Sequence, residues 1–187
     1  MNDVPQFDPQ AILESLDRHG VRYVLIGGIA AALHGSPHVT FDVDISPERS
    51  RPNLTALAAA LEDLDARVRV EQHPAGIAFD HSAEMLERVE ILNLVTRFGA
   101  LDLTFVPSGT RGYDDLKRSA EPVDVGGLLV PVASLDDVIR SKEAAGREKD
   151  RAVLPSLRRL QRKLAEPGGD ERPGAPANDL EAPEQTD

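Results

Sequence analysis

From His38 to Ile45 the chain reads HVTFDVDI, with apolar Val39, Phe41, Val43 and Ile45 alternating with polar His38, Thr40, Asp42 and Asp44. Strand side chains point to opposite faces with period two, so this spacing predicts a strand over 38–45 with one row on a core. The other row then carries two carboxylates side by side. Upstream, DPQAILESLDRHG has Asp8 as a candidate N-cap, Pro9 at the first helical position, apolar Ile12, Leu13 and Leu16, and Gly20 as a stop. That arrangement predicts a helix. VRYVLIGG predicts a short strand running into a glycine pair, and IAAALHG a helix that starts directly after Gly28 and ends near Gly35. Ser36-Pro37 breaks the chain before the carboxylate strand.

Downstream, NLTALAAALEDL places Leu54, Leu57, Ala58, Leu61 and Leu64 on one helical stripe. RVRVE and GIAF predict strands, and SAEMLERV one or two helical turns. EILNLVTRF and LDLTFVP predict a hairpin turning at Gly99-Ala100, and PVDVGGLLVPV a second one turning at Gly126-Gly127. YDDLKRSA between them reads as helical. SLDDVIRSKEAAG opens with Ser134 and Asp137 at capping-box spacing and stops at Gly146. REKDRAVLPSLRRLQRKL continues as a helical segment kinked or restarted at Pro155. The remaining residues are rich in Pro, Gly and acids and show no apolar period. One mixed α/β domain over 1–164 is therefore expected, followed by a disordered acidic tail over 165–187.

The chain has 187 residues, enough for one domain with a true core. It has no cysteine, which excludes disulfides, thiolate zinc sites and cysteine nucleophiles. MNDVPQFDPQ lacks a basic n-region and an apolar h-region, and the longest apolar run, Tyr23 to Leu33, is too short to span a bilayer. A soluble cytoplasmic protein without a membrane partner is the expectation. The formal charge of −11 argues against a nucleic-acid partner until its distribution is read. Ala165 to Asp187 holds seven acids and one Arg, whereas Ile139 to Leu164 holds nine Lys or Arg against three acids. A basic segment beside an acidic tail is compatible with a polyanionic substrate, and equally with a solvated helix face.

Like-charged neighbours on one strand face are unfavourable unless a cation sits between them. A divalent metal is the simplest compensation, since Mg²⁺ takes one or two carboxylates plus phosphate oxygens. LDLTFVP supplies a third acid, with Asp102 and Thr104 opposite Leu101, Leu103 and Phe105. Three carboxylates on adjacent strands can hold two metal ions, one activating a hydroxyl and one bridging nucleotide phosphates. Gly27 and Gly28, between a strand and a helix start, leave backbone N–H groups free to cradle phosphate with no Cβ in the way. Dinucleotide and Walker glycine patterns are both absent. His34 and His38 lie beside this region, yet no spacing suggests zinc.

YVLIGGIAAALHGSPHVTFDVDI resembles the signature of the DNA polymerase β-type nucleotidyltransferases: a strand, a GG or GS turn, a D-x-D strand about a dozen residues on, and a later single Asp. The GG form, the T-x-D-x-D run and the later SKEAAGREKD are most similar to the small AbiEii and MenT-type toxins of toxin–antitoxin systems. The resemblance spans about Val21 to Leu157. It implies a nucleotidyltransferase fold, a mixed sheet flanked by helices with a helical C-terminal segment closing over the nucleotide. It further implies that Asp42, Asp44 and Asp102 bind Mg²⁺ and act in catalysis, with Asp102 orienting or deprotonating the acceptor. Gly27, Gly28, Thr40, Lys142, Lys149 and Asp150 would bind the nucleotide. The implied reaction moves NMP from an NTP onto an acceptor hydroxyl, such as the 3′ end of tRNA, blocking translation, with an antitoxin protein as partner. Many relatives carry Arg where this chain has His38, and the larger ones carry a C-terminal domain absent here. A small-molecule or protein acceptor, or a silent nucleotide-binding antitoxin or sensor, are the alternatives. Lys149 and Asp150 read equally well as a local surface ion pair.

Overall fold

The computed structural model describes residues 7–166. Its elements follow the order α1 (Pro9–Arg18), β1 (Tyr23–Ile26), α2 (Gly27–Leu33), β2 (Asp42–Pro47), α3 (Arg51–Asp63), β3 (Arg67–Val70), β4 (His73–Ile77) and α4 (Ala83–Arg88). There follow β5 (Ile91–Thr96), β6 (Gly99–Thr104), α5 (Tyr113–Leu116), β7 (Glu121–Val125), β8 (Leu128–Val132), α6 (Leu135–Ala145) and α7 (Glu148–Ala165). All eight strands form one mixed sheet in the order β4-β3-β5-β6-β2-β1-β8-β7.

Local chemistry explains the element ends. The Asp8 carboxylate accepts from the Ala11 amide at 3.0 Å and opens α1; the Ser134 hydroxyl accepts from the Asp137 amide at 3.2 Å and opens α6. Gly146 closes α6 in the left-handed region at φ 59. Gly126 and Gly127 both have positive φ and turn the β7–β8 hairpin where expected.

Two non-local pairings build the centre. β1 runs antiparallel to β2, and β2 runs parallel to β6, with Asp44 opposite Asp102 and Asp42 opposite Ala100. Val43 and Ile45 of β2 and Leu101 and Leu103 of β6 are fully buried on the other face. They belong to one core with Leu13 and Leu16 of α1, Leu54, Leu57 and Leu61 of α3 and Leu86 of α4. Truncating one such leucine to Ala typically removes about 2–5 kcal/mol.

Six expectations shift. The carboxylate strand starts at Asp42, not His38, because pairing runs out there: β1 gives way to α2 after Ile26, opposite Asp44, and the ladder with β6 ends at the Asp42–Ala100 pair. Val39 and Phe41 are accordingly 79% and 73% exposed instead of facing the core. α2 begins at Gly27, two residues earlier than expected, since its positive φ of 70 turns the chain directly out of β1. The β5–β6 hairpin turns at Arg97-Phe98, and Gly99 already pairs with Thr96. β4 covers His73–Ile77, not GIAF, paired with β3 through an irregular register. α7 runs through Pro155 without restarting; the proline is exposed, so the carbonyl it leaves without a helical donor can meet water. The helix also carries on through Ala165; the rest of the expected acidic tail lies outside the described residues. No helix among the described residues is long and apolar enough to cross a membrane.

Candidate active site

Asp42, Asp44 and Asp102 each offer one carboxylate oxygen, and these oxygens lie within 4.8 Å of one another. The register explains the meeting. Asp42 and Asp44 share the polar face of β2, and Asp102 sits opposite Asp44 on the parallel neighbour β6. The three are half-buried, so water screens their repulsion poorly. Burial pushes the Asp44 carboxyl up to about 7, the charges of Asp42 and Asp102 add to the rise, and the Gly28 amide and Lys142 oppose it. Burial also raises Asp102, restrained by the Arg69 guanidinium. A cluster of hard oxygen donors whose mutual repulsion is only partly relieved fits a divalent cation.

All of the residues assigned to catalysis, metal or nucleotide from the sequence border one cavity of about 560 Å³: Gly27, Gly28, Thr40, the three acids, Lys142, Lys149 and Asp150. That volume is within the usual range of small-ligand sites. The glycines have a more local reason than room for phosphate. A Cβ on Gly27 would lie 2.7 Å from the Asp44 Cβ, and one on Gly28 would lie 2.6 Å from the Thr40 Oγ1. The glycine pair is the floor on which the Asp44 and Thr40 side chains rest. Thr40, two residues before β2 begins, donates its hydroxyl to the Asp42 carboxylate.

The C-terminal helices close the opposite wall. Asp150 is fully buried and accepts from Arg147 Nε at 2.6 Å and Lys142 Nζ at 3.3 Å. Burial pushes its carboxyl up, but the Arg147 hydrogen bond and the Lys142 charge outweigh this and hold it below the usual carboxylate range. Asp150 therefore pairs with Lys142 and Arg147, not with Lys149, which is exposed at the rim. Its role in this geometry is to fix two cations that act electrostatically on the acids: Lys142 on Asp44, and Arg147 on Asp44 and Asp102. His38, also on the wall, meets the Ser156 hydroxyl of α7 at 2.7 Å and ties the segment before β2 to the closing helix.

Arg69 is the site residue that motif reading misses. Its guanidinium donates to both oxygens of Asp102 at 2.8 Å. RVRV alternates and so displays two arginines on one strand face. Only the pairing of β3 with β5, and of β5 with β6, brings that face to the acids.

No protein-family model matches the chain, and no curated protein matches it in sequence. Among solved structures, it is similar to the crystal structure of a candidate nucleotidyltransferase from Thermotoga maritima, at 17% identity over 82% of this chain and 90% of that one, with a TM-score of 0.50. The solution structure of the antibiotic-resistance factor ANT(2'')-Ia matches at 16% identity over 82% of this chain and 91% of its own, with a TM-score of 0.43. The first likeness is one of fold: the chain has the mixed-sheet nucleotidyltransferase fold.

Proposed function

We propose that the chain is a Mg²⁺-dependent nucleotidyltransferase that moves NMP from an NTP onto the 3′ end of tRNA and so arrests translation. The observation that carries the chemistry is the convergence of Asp42, Asp44 and Asp102 on one cavity beside the Gly27-Gly28 turn. Mg²⁺ held by these three acids would neutralise phosphate oxygens and acidify the acceptor hydroxyl. Asp102, at the β6 side of the cluster, is the residue assigned to orient that hydroxyl and take its proton. Lys142 and Arg147, fixed by Asp150, supply positive charge for the triphosphate. The acceptor oxygen bonds to the α-phosphorus while the bond to the bridging oxygen breaks, and pyrophosphate leaves. Thr40 keeps Asp42 oriented through its hydroxyl.

The RNA acceptor is supported by α7, where Arg159, Arg162 and Lys163 are exposed. The toxin role and an antitoxin partner follow from the sequence resemblance. Incubating the protein with Mg²⁺, each α-labelled NTP and total tRNA tests the proposal against Asp42→Asn and Asp44→Asn. Label on tRNA with the unsubstituted chain alone is the expected result. Label on protein or on a small hydroxyl compound moves the acceptor, and no transfer to any acceptor overturns the activity. Growth arrest on expression, relieved by a neighbouring gene, tests the toxin role.

A further inference from the structure

The three acids are not equivalent. Among the described residues, no Lys or Arg forms an ion pair with Asp42 or Asp44, whereas both oxygens of Asp102 are held by one guanidinium nitrogen of Arg69, Nη2. A cation that needs Asp102 must compete with that guanidinium. The register shows how the contact arises. Asn93 pairs with Asp102 and Asp102 with Asp44. Arg67 pairs with Val95 and Val68 with Leu94, which carries Arg69 to the position beside Asn93. Arg69 therefore ends the row of side chains that holds Asp44 and Asp102, and its long stem reaches across β5.

The pair can also open. Arg69 is 42% exposed, and ion pairs at such exposure are weak because water competes for both partners. Arg67, two residues back on the same face, is 41% exposed, and its one ion pair among the described residues is a 3.4 Å contact to Asp65. The two arginines form a short basic strip at the β3 end of the carboxylate row. A guanidinium that holds a carboxylate can hold a phosphate equally well.

We propose that Arg69 is a latch on the third carboxylate: it keeps Asp102 from the cation while no acceptor is bound, and it surrenders Asp102 when a phosphate of the acceptor strand takes the guanidinium. This rests on the reading of Asp42, Asp44 and Asp102 as a cation site. Arg69 is thus a positioning residue, acting through Asp102. The latch makes complete cation binding depend on arrival of a phosphate-bearing acceptor.

Mn²⁺ binding to the full chain, read from loss of the free-ion electron paramagnetic resonance signal, tests this without any turnover. Arg69→Gln is expected to bind Mn²⁺ about tenfold more tightly than the unsubstituted chain, a usual size for coupling between competing ligands. Arg69→Lys, with a charge but no planar guanidinium, is expected in between. The gain is expected to vanish in Arg69→Gln combined with Asp102→Asn. A four-residue oligoribonucleotide, after subtraction of its own Mn²⁺ binding, is expected to tighten binding by the unsubstituted chain but not by Arg69→Gln; uridine, which lacks phosphate, is expected to do nothing. Equal Mn²⁺ affinity of Arg69→Gln and the unsubstituted chain overturns the latch and leaves the cation site standing. Equal tightening by the oligoribonucleotide in both overturns release by phosphate. Mn²⁺ binding that Asp44→Asn does not weaken, or no binding by any form, overturns the cation site itself.

Discussion

Asp44 holds the least comfortable charge in the site, and its environment gives a prediction with a definite sign. Its carboxyl is raised from the ordinary value of 3.8 to about 7 in the folded chain. The folded state then binds this proton more tightly than the unfolded state, so stability declines as pH rises between those two values. Above about pH 7 the penalty is complete and of order a few kcal/mol. Asp44→Asn is therefore expected to raise the metal-free melting temperature by several degrees at pH 8, and to have little effect near pH 4, while reducing transfer at least about a hundredfold. Mg²⁺ is expected to stabilise the unsubstituted chain at pH 8 and not the variant, as a thermal melt series shows. Gly27→Ala is expected to cost at least about 1–2 kcal/mol, from its positive φ alone, and to displace Asp44. At this scale Asp42 and Asp44 were legible because D-x-D on an alternating strand follows a strand, a glycine pair and a short helix, a narrower signal than either half, and Asp102 because it falls on the polar row of a second alternating strand. Arg69 was not, because nothing local says that β3 lies two strands from Asp102.

The elements that close the site hang on one buried carboxylate. Asp150, in the first turn of α7, reaches back to Lys142 on α6 and to Arg147 in the link between them. Asp150→Asn removes the charge that orients both cations. On the proposed function, in which both cations hold the triphosphate in ground and transition states alike, steady-state kinetics are expected to show the KM for NTP rising about tenfold with a smaller change in kcat. Chemical denaturation is expected to show a loss of about 2 kcal/mol, the usual scale for a buried hydrogen bond to a charged group. Helices, caps and the glycine turn of β7–β8 could be read from the chain because each is decided within a few residues. The start of the carboxylate strand could not. His38 to Phe41 has a strand's alternation, but a strand also needs partners, and this segment pairs with neither β1 nor β6.

For the whole molecule, charge distribution matters more than its total. The chain is net −11, yet α7 turns Arg159, Arg162 and Lys163 outward. If RNA is the acceptor, Arg159→Glu with Arg162→Glu is expected to cut transfer to tRNA by about tenfold or more. Transfer by the unsubstituted chain is expected to fall steeply between about 50 and 200 mM salt. A small hydroxyl acceptor would leave both measurements nearly flat. The class of fold was legible from alternating strands and capped helices, but the strand order was not. Joining β2 to β6 requires α3, β3, β4, α4 and β5 to be laid down first, and no short-range pattern encodes that order.

The parallel ladder that sets Asp44 against Asp102 has Val43, Ile45, Leu101 and Leu103 as its reverse side. Sliding either strand by one position would turn its leucines or valine to water and drive acids into the greasy interior. Misaligned chains are thus culled by their own instability, and the surviving population is uniform where the chemistry needs it to be. Ångström-level placement of the acids is in effect proofread by oil on the far side of the sheet.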